Sequence, residues 1–311
     1  MSDAIRVGLV GFGYASKTFH APLIGGTPGM ALKAVASSDA DKVHADWPGV
    51  KVMSTPGDLL DDPDIDLVVI ATPNDTHFPL AKAALEAGKH VVVDKPFTVT
   101  LSQARELESL AKHCGRILSV FHNRRWDSDF LTVSALINEG QLGEVCYFES
   151  HFDRFRPQVR QRWREQAGPG SGIWYDLAPH LLDQVVVLFG LPVSITVDLA
   201  QLRPGAQSTD YFHAVLAYPQ RRVVLHGTLL AAAESARFIV HGSRASYIKY
   251  GLDPQEERLK NGERLPQEDW GYDMRDGTLT RAEGDERSQE KWLTLPGNYP
   301  AYYAAIRDAL N

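Results

Sequence analysis

The chain predicts a two-domain α/β protein: a doubly wound parallel sheet over residues 1–121, then an α+β domain with a mostly antiparallel open sheet over residues 122–311. Three observations predict it. Continuous apolar runs such as Leu67-Val68-Val69-Ile70 and Val91-Val92-Val93 have no polar face, as in parallel strands buried on both sides. Helical patterns alternate with these runs up to about Phe121, the rhythm of βαβ units. Beyond that point, several strand-like runs follow one another with short turns, the rhythm of antiparallel pairing.

Taken in order, the first-domain strands are expected at Ile5–Val10, Leu32–Ser37, Val50–Met53, Leu67–Thr72, His90–Val93 and Ile117–Phe121. Between them, Phe78–Ala87 reads as a helix stopped by Gly88, and Ser102–His113 as a helix stopped by Gly115. In the second domain a helix at Ser128–Glu139 closes at Gly140. A strand near Val145–Arg154 and a helix near Leu177–Phe189 follow. Further strands are expected at Val193–Gln201, Tyr211–Tyr218, Arg222–Leu230, Arg237–Val240 and Ala245–Lys249, with Pro219-Gln220 as a hairpin turn. The polar, Gly-punctuated stretch from Asp253 to Lys291 reads as a long surface excursion, and Tyr299–Leu310 as a final helix.

Composition narrows the function classes. With 311 residues, 44% hydrophobic and 23% charged, the chain is long enough for two cores and too apolar to be disordered. A net charge of −7 without a dense Lys/Arg run argues against nucleic acid as a partner. Two cysteines, Cys114 and Cys146, make no disulfide framework and no CxxC pattern, and no second histidine is placed to complete a metal site with His180; no metal is expected. The first residues run into a strand without a basic-then-apolar leader, and Val185–Val193 is too short to span a bilayer, so a cytoplasmic location is expected. One face of the second sheet is left to cover, which suggests a homodimer or homotetramer.

The chemistry begins after the first strand, at Gly11-Phe12-Gly13-Tyr14-Ala15-Ser16, a GxGxx(G/A) pattern with Ser in the third small position. Gly11 suits the tight turn, Gly13 lets the backbone approach a pyrophosphate, and the following helix N-terminus faces the phosphates. This dinucleotide fingerprint makes the first domain a Rossmann fold, with Tyr14 and Ala15 beside the cofactor. The end of strand two decides between NAD and NADP. An NAD site usually has an acid there; this chain has Ser37-Ser38, with Asp39 late and Lys42 in reach, a set suited to the 2′-phosphate of NADP. Ser38 or Asp39 as a plain helix cap explains the same residues.

Two further elements carry candidate catalytic groups. Strand five ends in Asp94-Lys95-Pro96, which puts Lys95 at the carboxyl edge of the sheet, where ligands bind in such folds. Asp176, His180 and Asp183 share one face of the later helix by spacings of four and three. Asp176 as an N-cap with Pro179 in the first turn, and His180 as a satisfied core histidine, are the plain structural alternatives.

Together, VGLVGFGYASKTFHAPLI, DLVVIATPNDTH, AGKHVVVDKPFT and DLAPHLLD resemble the glucose–fructose oxidoreductase and inositol dehydrogenase family (Gfo/Idh/MocA type) over nearly the whole chain. LSVFHNRRWDSDF, ESHFDRFRP and WREQ are most similar to its NADP-dependent scyllo-inositol dehydrogenase branch. The resemblance implies hydride transfer between NADP and a secondary alcohol or ketone of a polyol or sugar. It implies Lys95 and His180 as the proton-handling groups, with Asp176 orienting substrate or histidine. It also implies that Thr72, Pro73, Asn74, His77, Pro96, Asn123 and Arg124 contact the cofactor, and that Arg154, Arg156, Trp163 and Arg164 donate to the substrate. Strand-end caps and solvated loops explain these last two groups as well. Ser16 departs from the more common Gly or Ala and is expected to loosen the helix–strand contact; relatives usually continue with a further helix beyond Leu310. A non-catalytic dinucleotide sensor on the same scaffold is the competing function, disfavoured because Lys95, Asp176 and His180 are all present.

Overall fold

The computed structural model describes residues 4–311, in two compact units. Among the described residues, unit one holds 4–123, 255–270 and 299–311; unit two holds 124–254 and 271–298. A single cut at 121 therefore misses two returns of the chain to the first unit. Their side chains explain the return. Gln255 is buried and its Oε1 accepts from Trp270 Nε1 and from the Tyr299 backbone N–H, both at 2.7 Å. The tyrosines beyond it join an aromatic cluster, with Tyr303 Oη 2.6 Å from His20 Nδ1 and Tyr302 packed edge-on against Phe121.

Unit one is built on six parallel strands: β1 (Ile5–Val10), β2 (Met30–Ala36), β3 (Lys51–Met53), β4 (Leu67–Ile70), β5 (His90–Val93) and β6 (Leu118–Val120). Their order, β3-β2-β1-β4-β5-β6, is that of a doubly wound dinucleotide fold, with the switch point between β1 and β4. Among the described residues, the α-helices of this unit are α1 (Ala21–Gly25), α2 (Ala40–Asp46), α3 (Pro56–Leu60), α4 (His77–Glu86), α5 (Leu101–Cys114), α8 (Gln255–Lys260) and α9 (Pro300–Leu310). A π-helical turn, Ser16–His20, precedes α1. The capping signals act as expected: Thr100 Oγ1 caps α5, and Gly115 closes it in the left-handed conformation at φ 62°. Val68, Val91 and Val93 are completely buried between the helical layers.

Unit two combines α6 (Ser128–Asn138) and α7 (Gly172–Phe189) with an eight-stranded sheet. Its strands are β7 (Val145–His151), β8 (Ser194–Ala200), β9 (Tyr211–Ala217), β10 (Arg222–Thr228), β11 (Ala236–Gly242), β12 (Ala245–Tyr250), β13 (Gly277–Glu283) and β14 (Glu286–Trp292). The order is β14-β13-β12-β11-β7-β10-β9-β8, antiparallel throughout except for the β7–β10 pair. One face packs Phe148, Phe212, Leu225 and Phe238 against Val133, Leu177, Leu181 and Val185 of the two helices. By the two-residue period of a strand, the opposite face carries Tyr147, Glu149, His151, His213 and His226.

Two expectations need correction. The Asp253–Lys291 stretch is not simply an excursion, because it contains α8, β13 and most of β14. β14 is an edge strand whose residues are all charged or polar up to Trp292 and are almost all exposed, so hydropathy gives no sign of it. Helix α7 begins at Gly172, five residues before the expected start, with Ser171 as its N-cap residue. Asp176 is therefore not an N-cap, and Pro179 lies inside the helix.

Candidate functional site

In unit one, the turn after β1 has the geometry the glycines imply. Gly11 adopts φ +87°, and a Cβ there would meet Thr72 Cγ2 at 3.0 Å and the Ala71 carbonyl at 3.1 Å. A Cβ on Gly13 would meet nothing within 4 Å, so the backbone at this point faces open space, as approach of a pyrophosphate requires. Ser16 is fully buried, and its hydroxyl donates to the Gly11 carbonyl at 2.8 Å. The departure at this position thus ties the turn down instead of loosening it.

Beside the turn is a cavity of about 310 Å³ whose lining includes Gly13, Tyr14, Lys17, Lys42, Lys260 and Arg264. Lys17 is paired with Asp46 at 2.8 Å, and Lys260 lies 3.2 Å from Glu256, which also accepts from Tyr14 Oη at 2.8 Å. Arg264 lies over the Trp47 ring at 5.1 Å. Four cations and one carboxylate, Asp46, line this small opening, a net positive wall that attracts an anion. At the end of β2, Ser37 Oγ accepts from the Asp39 N–H at 3.2 Å, and Asp39 caps α2 by accepting from the Lys42 N–H at 3.0 Å. The capping reading of Asp39 therefore holds, which commits its carboxylate to the helix. Lys260 and Arg264 could not be found by motif, because the chain brings them here from far downstream.

The ends of β4 and β5 are joined by His77. Its buried ring lies 2.8 Å from the Pro96 carbonyl oxygen and 3.0 Å from that of Thr72. His77 thus links the turn after β4 to the Lys95-Pro96 turn, whose peptide is cis. Thr72 and Thr76 share a hydrogen bond of 2.6 Å, Pro73 is exposed, and Asn74 is buried. Lys95 is half-buried, with its backbone N–H on Asp94 Oδ1 at 2.8 Å. Asn123 is buried at the last position of the unit's first segment. His20 is also buried, 4.0 Å from Asp94, and its burial pulls its pKa down to about 4.

In unit two, α7 holds Asp176, His180 and Asp183 along one face. His180 is buried, whereas Asp176 is half-buried and lies 3.8 Å from Arg164 Nε. Asp183 accepts a bidentate pair from Arg125 at 2.8 and 2.6 Å, a structural use. Asp176 shares a small cavity with Arg154, Arg156, Arg162, Arg164 and Arg203, so the arginines expected to meet the substrate are brought to one place. Glu165 neutralises part of this charge, bonding Arg162 at 2.8 Å and Arg203 at 3.0 Å. Burial and the positive charges of Arg154, Arg160 and Arg162 push Arg156 below its ordinary pKa. Trp163 serves as a platform, its ring 4.6 Å from the Arg164 guanidinium. Arg124 is buried, paired with Asp127 at 3.2 Å and lying 4.9 Å over the Phe152 ring, so it is not part of a solvated loop.

One cluster escaped the sequence reading. Ligand atoms of His151, Asp153 and His226 all lie within 4.8 Å of one another, an arrangement open to a metal ion. Cysteine and histidine spacing gave no hint, because the residues meet only through strand register.

Matches to family models cover most of the chain. The oxidoreductase family, NAD-binding Rossmann fold, matches residues 5–122, and the oxidoreductase family, C-terminal alpha/beta domain, matches residues 134–311. The uncharacterised oxidoreductase YdgJ of Escherichia coli K12 is 82% identical over 311 residues, covering 100% of this chain and 90% of that protein. The NADP-dependent scyllo-inositol 2-dehydrogenase IolW of Bacillus subtilis is 36% identical over 310 residues, covering 99% and 87%. The solved structure of the oxidoreductase YPO2259 from Yersinia pestis superposes with a TM-score of 0.95 at 70% identity, covering 99% of this chain and 88% of that one. Among the described residues, no helix is long and apolar enough to cross a membrane.

Proposed function

The chain belongs to the Gfo/Idh/MocA oxidoreductase family, and from that premise we propose that it is an NADP-dependent dehydrogenase acting on a secondary alcohol or ketone of a polyol such as scyllo-inositol, or of a sugar. The observation that carries the cofactor choice is the cavity beside Gly13, walled by Lys17, Lys42, Lys260 and Arg264. A 2′-phosphate adds about two negative charges to the adenosine ribose and suits that wall; a free ribose hydroxyl has no use for it. Gly11 and Gly13 leave the space a pyrophosphate needs, so the residues present fit the cofactor.

NADP supplies the nicotinamide carbon that accepts or donates hydride. The chain's own residues handle the proton. His180 takes the substrate hydroxyl proton during oxidation and returns it during reduction, since an imidazole titrates close to neutral pH. Lys95 stabilises the alkoxide charge that develops as hydride leaves. Asp176 orients the substrate, with Arg154, Arg156 and Arg164 donating to its oxygens, and His77 holds the two strand ends that present Thr72 and Lys95.

The test is a panel of inositols, keto-inositols, pentoses and hexoses, assayed with NADP and NAD side by side. NADP-linked turnover of at least one polyol or its ketone is expected. NAD preferred across the panel would overturn the cofactor reading, and no turnover of any member would overturn the substrate reading.

A further inference from the structure

The cluster of histidines and carboxylates on the helix-free face of the eight-stranded sheet takes no part in the proposed reaction. It is organised by strand register. His226 of β10 pairs with His151 of the parallel neighbour β7 on one side, and with His213 of the antiparallel neighbour β9 on the other. Asp153 lies two residues beyond His151, and so on the same face. Asp153 then touches both imidazoles, with Oδ2 3.1 Å from His151 Nδ1 and Oδ1 2.8 Å from His226 Nδ1.

We propose that His151, Asp153 and His226 form a binding site for one divalent transition-metal ion of the zinc class. Two imidazoles and a carboxylate are the donor set such an ion takes when it has three protein ligands and keeps a fourth position for water. With donors at ~2.0–2.1 Å in a tetrahedral arrangement, neighbouring donors stand roughly 3.3 Å apart. Two donor pairs, at 3.1 and 2.8 Å, lie close to that separation, and ligand atoms of all three residues fall within 4.8 Å of one another.

The surroundings match what a metal site needs beyond its ligands. The other nitrogen of His151, Nε2, lies 2.6 Å from Glu149 Oε1, and Tyr147 donates to Glu149 Oε2 at 2.5 Å. A carboxylate on the far side of a ligating imidazole fixes its tautomer and leaves Nδ1 free to bind the ion. The His226 ring is flanked by Tyr211 at 5.3 Å and His213 at 6.2 Å. His151 and Asp153 also line a cavity of about 420 Å³, which gives an ion a way in. The cations on that cavity are engaged elsewhere: Arg237 with Asp129 at 3.1 Å, Arg275 with Glu234 at 2.6 Å, and Arg154 over the Phe152 ring at 5.0 Å.

The experiment uses the full-length, untagged protein, stripped with chelator and returned to neutral buffer. Zinc chloride is titrated by calorimetry and cobalt chloride by visible absorption. One ion per chain is expected, with the strong d–d bands of a four-coordinate cobalt site. His226→Gln and Asp153→Asn should each abolish the bands. Glu149→Gln, which removes no ligand, should weaken binding about 10- to 100-fold. His241→Ala should bind as the unaltered protein does, since His241 faces the same side of β11 but pairs with Ser246 at 2.8 Å. Circular dichroism of each variant separates a lost site from a lost fold, and Glu149→Gln keeps the test open if a ligand variant does not fold. No stoichiometric ion in the unaltered protein, or equal binding by His226→Gln, would overturn the proposal and leave the cluster as a carboxylate–imidazole ladder held by protons.

Discussion

The turn after β1 and the histidine face of the second sheet are built in opposite ways. The turn draws on neighbours in sequence: Gly11, Gly13 and Ser16 lie within six residues, and the Ser16 hydroxyl closes onto the Gly11 carbonyl. The histidine face draws on strands 75 residues apart, as with His151 and His226, and a slip of one residue would turn every member of it to the other side. A local site is therefore readable as a motif, whereas a register-made site is invisible until the pairing is known. The comparison also separates two kinds of vulnerability, because the turn depends on backbone conformation and the sheet face on pairing.

The largest expected effects lie at the proposed catalytic groups, one from each unit. Lys95→Ala and His180→Ala should each lower turnover by on the order of a hundredfold or more, with NADPH binding largely kept in His180→Ala. Steady-state kinetics with fluorescence titration of NADPH checks both, and near-normal rates in the two variants would remove the mechanism.

The units should also differ in acid. His20 is buried in unit one with a pKa of about 4, while the unfolded chain's histidine titrates near 6.5. The unfolded state binds the proton first, so stability is fully present above about pH 6.5 and is lost as pH falls towards 4. The loss is roughly 3 kcal/mol. Thermal unfolding followed from pH 7 to 4 should show the decline in the unaltered protein and a flatter curve for His20→Gln. Parallel curves for the two proteins would show that His20 does not set the acid response.

Smaller effects belong to the cofactor cavity. Arg264→Ala and Lys260→Ala should each raise the KM for NADP about tenfold, the worth of a charge-assisted hydrogen bond, with kcat and the NAD reaction little changed. Ser37→Asp should move preference towards NAD, and an unaltered NADP preference would place the phosphate contact elsewhere. The smallest effect is that of Ser16→Ala, which leaves the partly buried Gly11 carbonyl without its hydroxyl partner. It should cost about 1 kcal/mol, seen as a drop of a few degrees in Tm. A raised Tm would mean that the small residue usual in this position packs better than the hydrogen bond holds.

The sequence reading succeeded where the signal was continuous and apolar. β1 and β5 fall at the expected residues, and α4 and α5 stop at Gly88 and Gly115 as their composition demands. It failed where the signal was polar or distant. The sequence Glu286–Trp292 forms a strand because it pairs with β13 along its whole length, although almost every side chain is exposed. Helix α7 starts early because Gly172 and Ile173 are buried against the Thr209 region, a tertiary fact, while Pro179 looked like a first-turn residue and sits mid-helix. Of the candidate site, the glycine turn was legible, as was the placement of Lys95 just past the end of β5 and of Asp176 and His180 on one helix. Lys260 and Arg264 were not, since they reach the turn only through the return of residues 255–270 to unit one.

The most direct test of the account follows a single atom. A polyol from the panel that supports turnover is deuterated at the carbon bearing the reacting hydroxyl and incubated with NADP, and the reduced nicotinamide is examined by proton NMR. The account predicts deuterium at the nicotinamide C4 position, one per turnover, together with a slowed rate at saturating cofactor. Deuterium released to water, or product formed without reduced NADP, would contradict it.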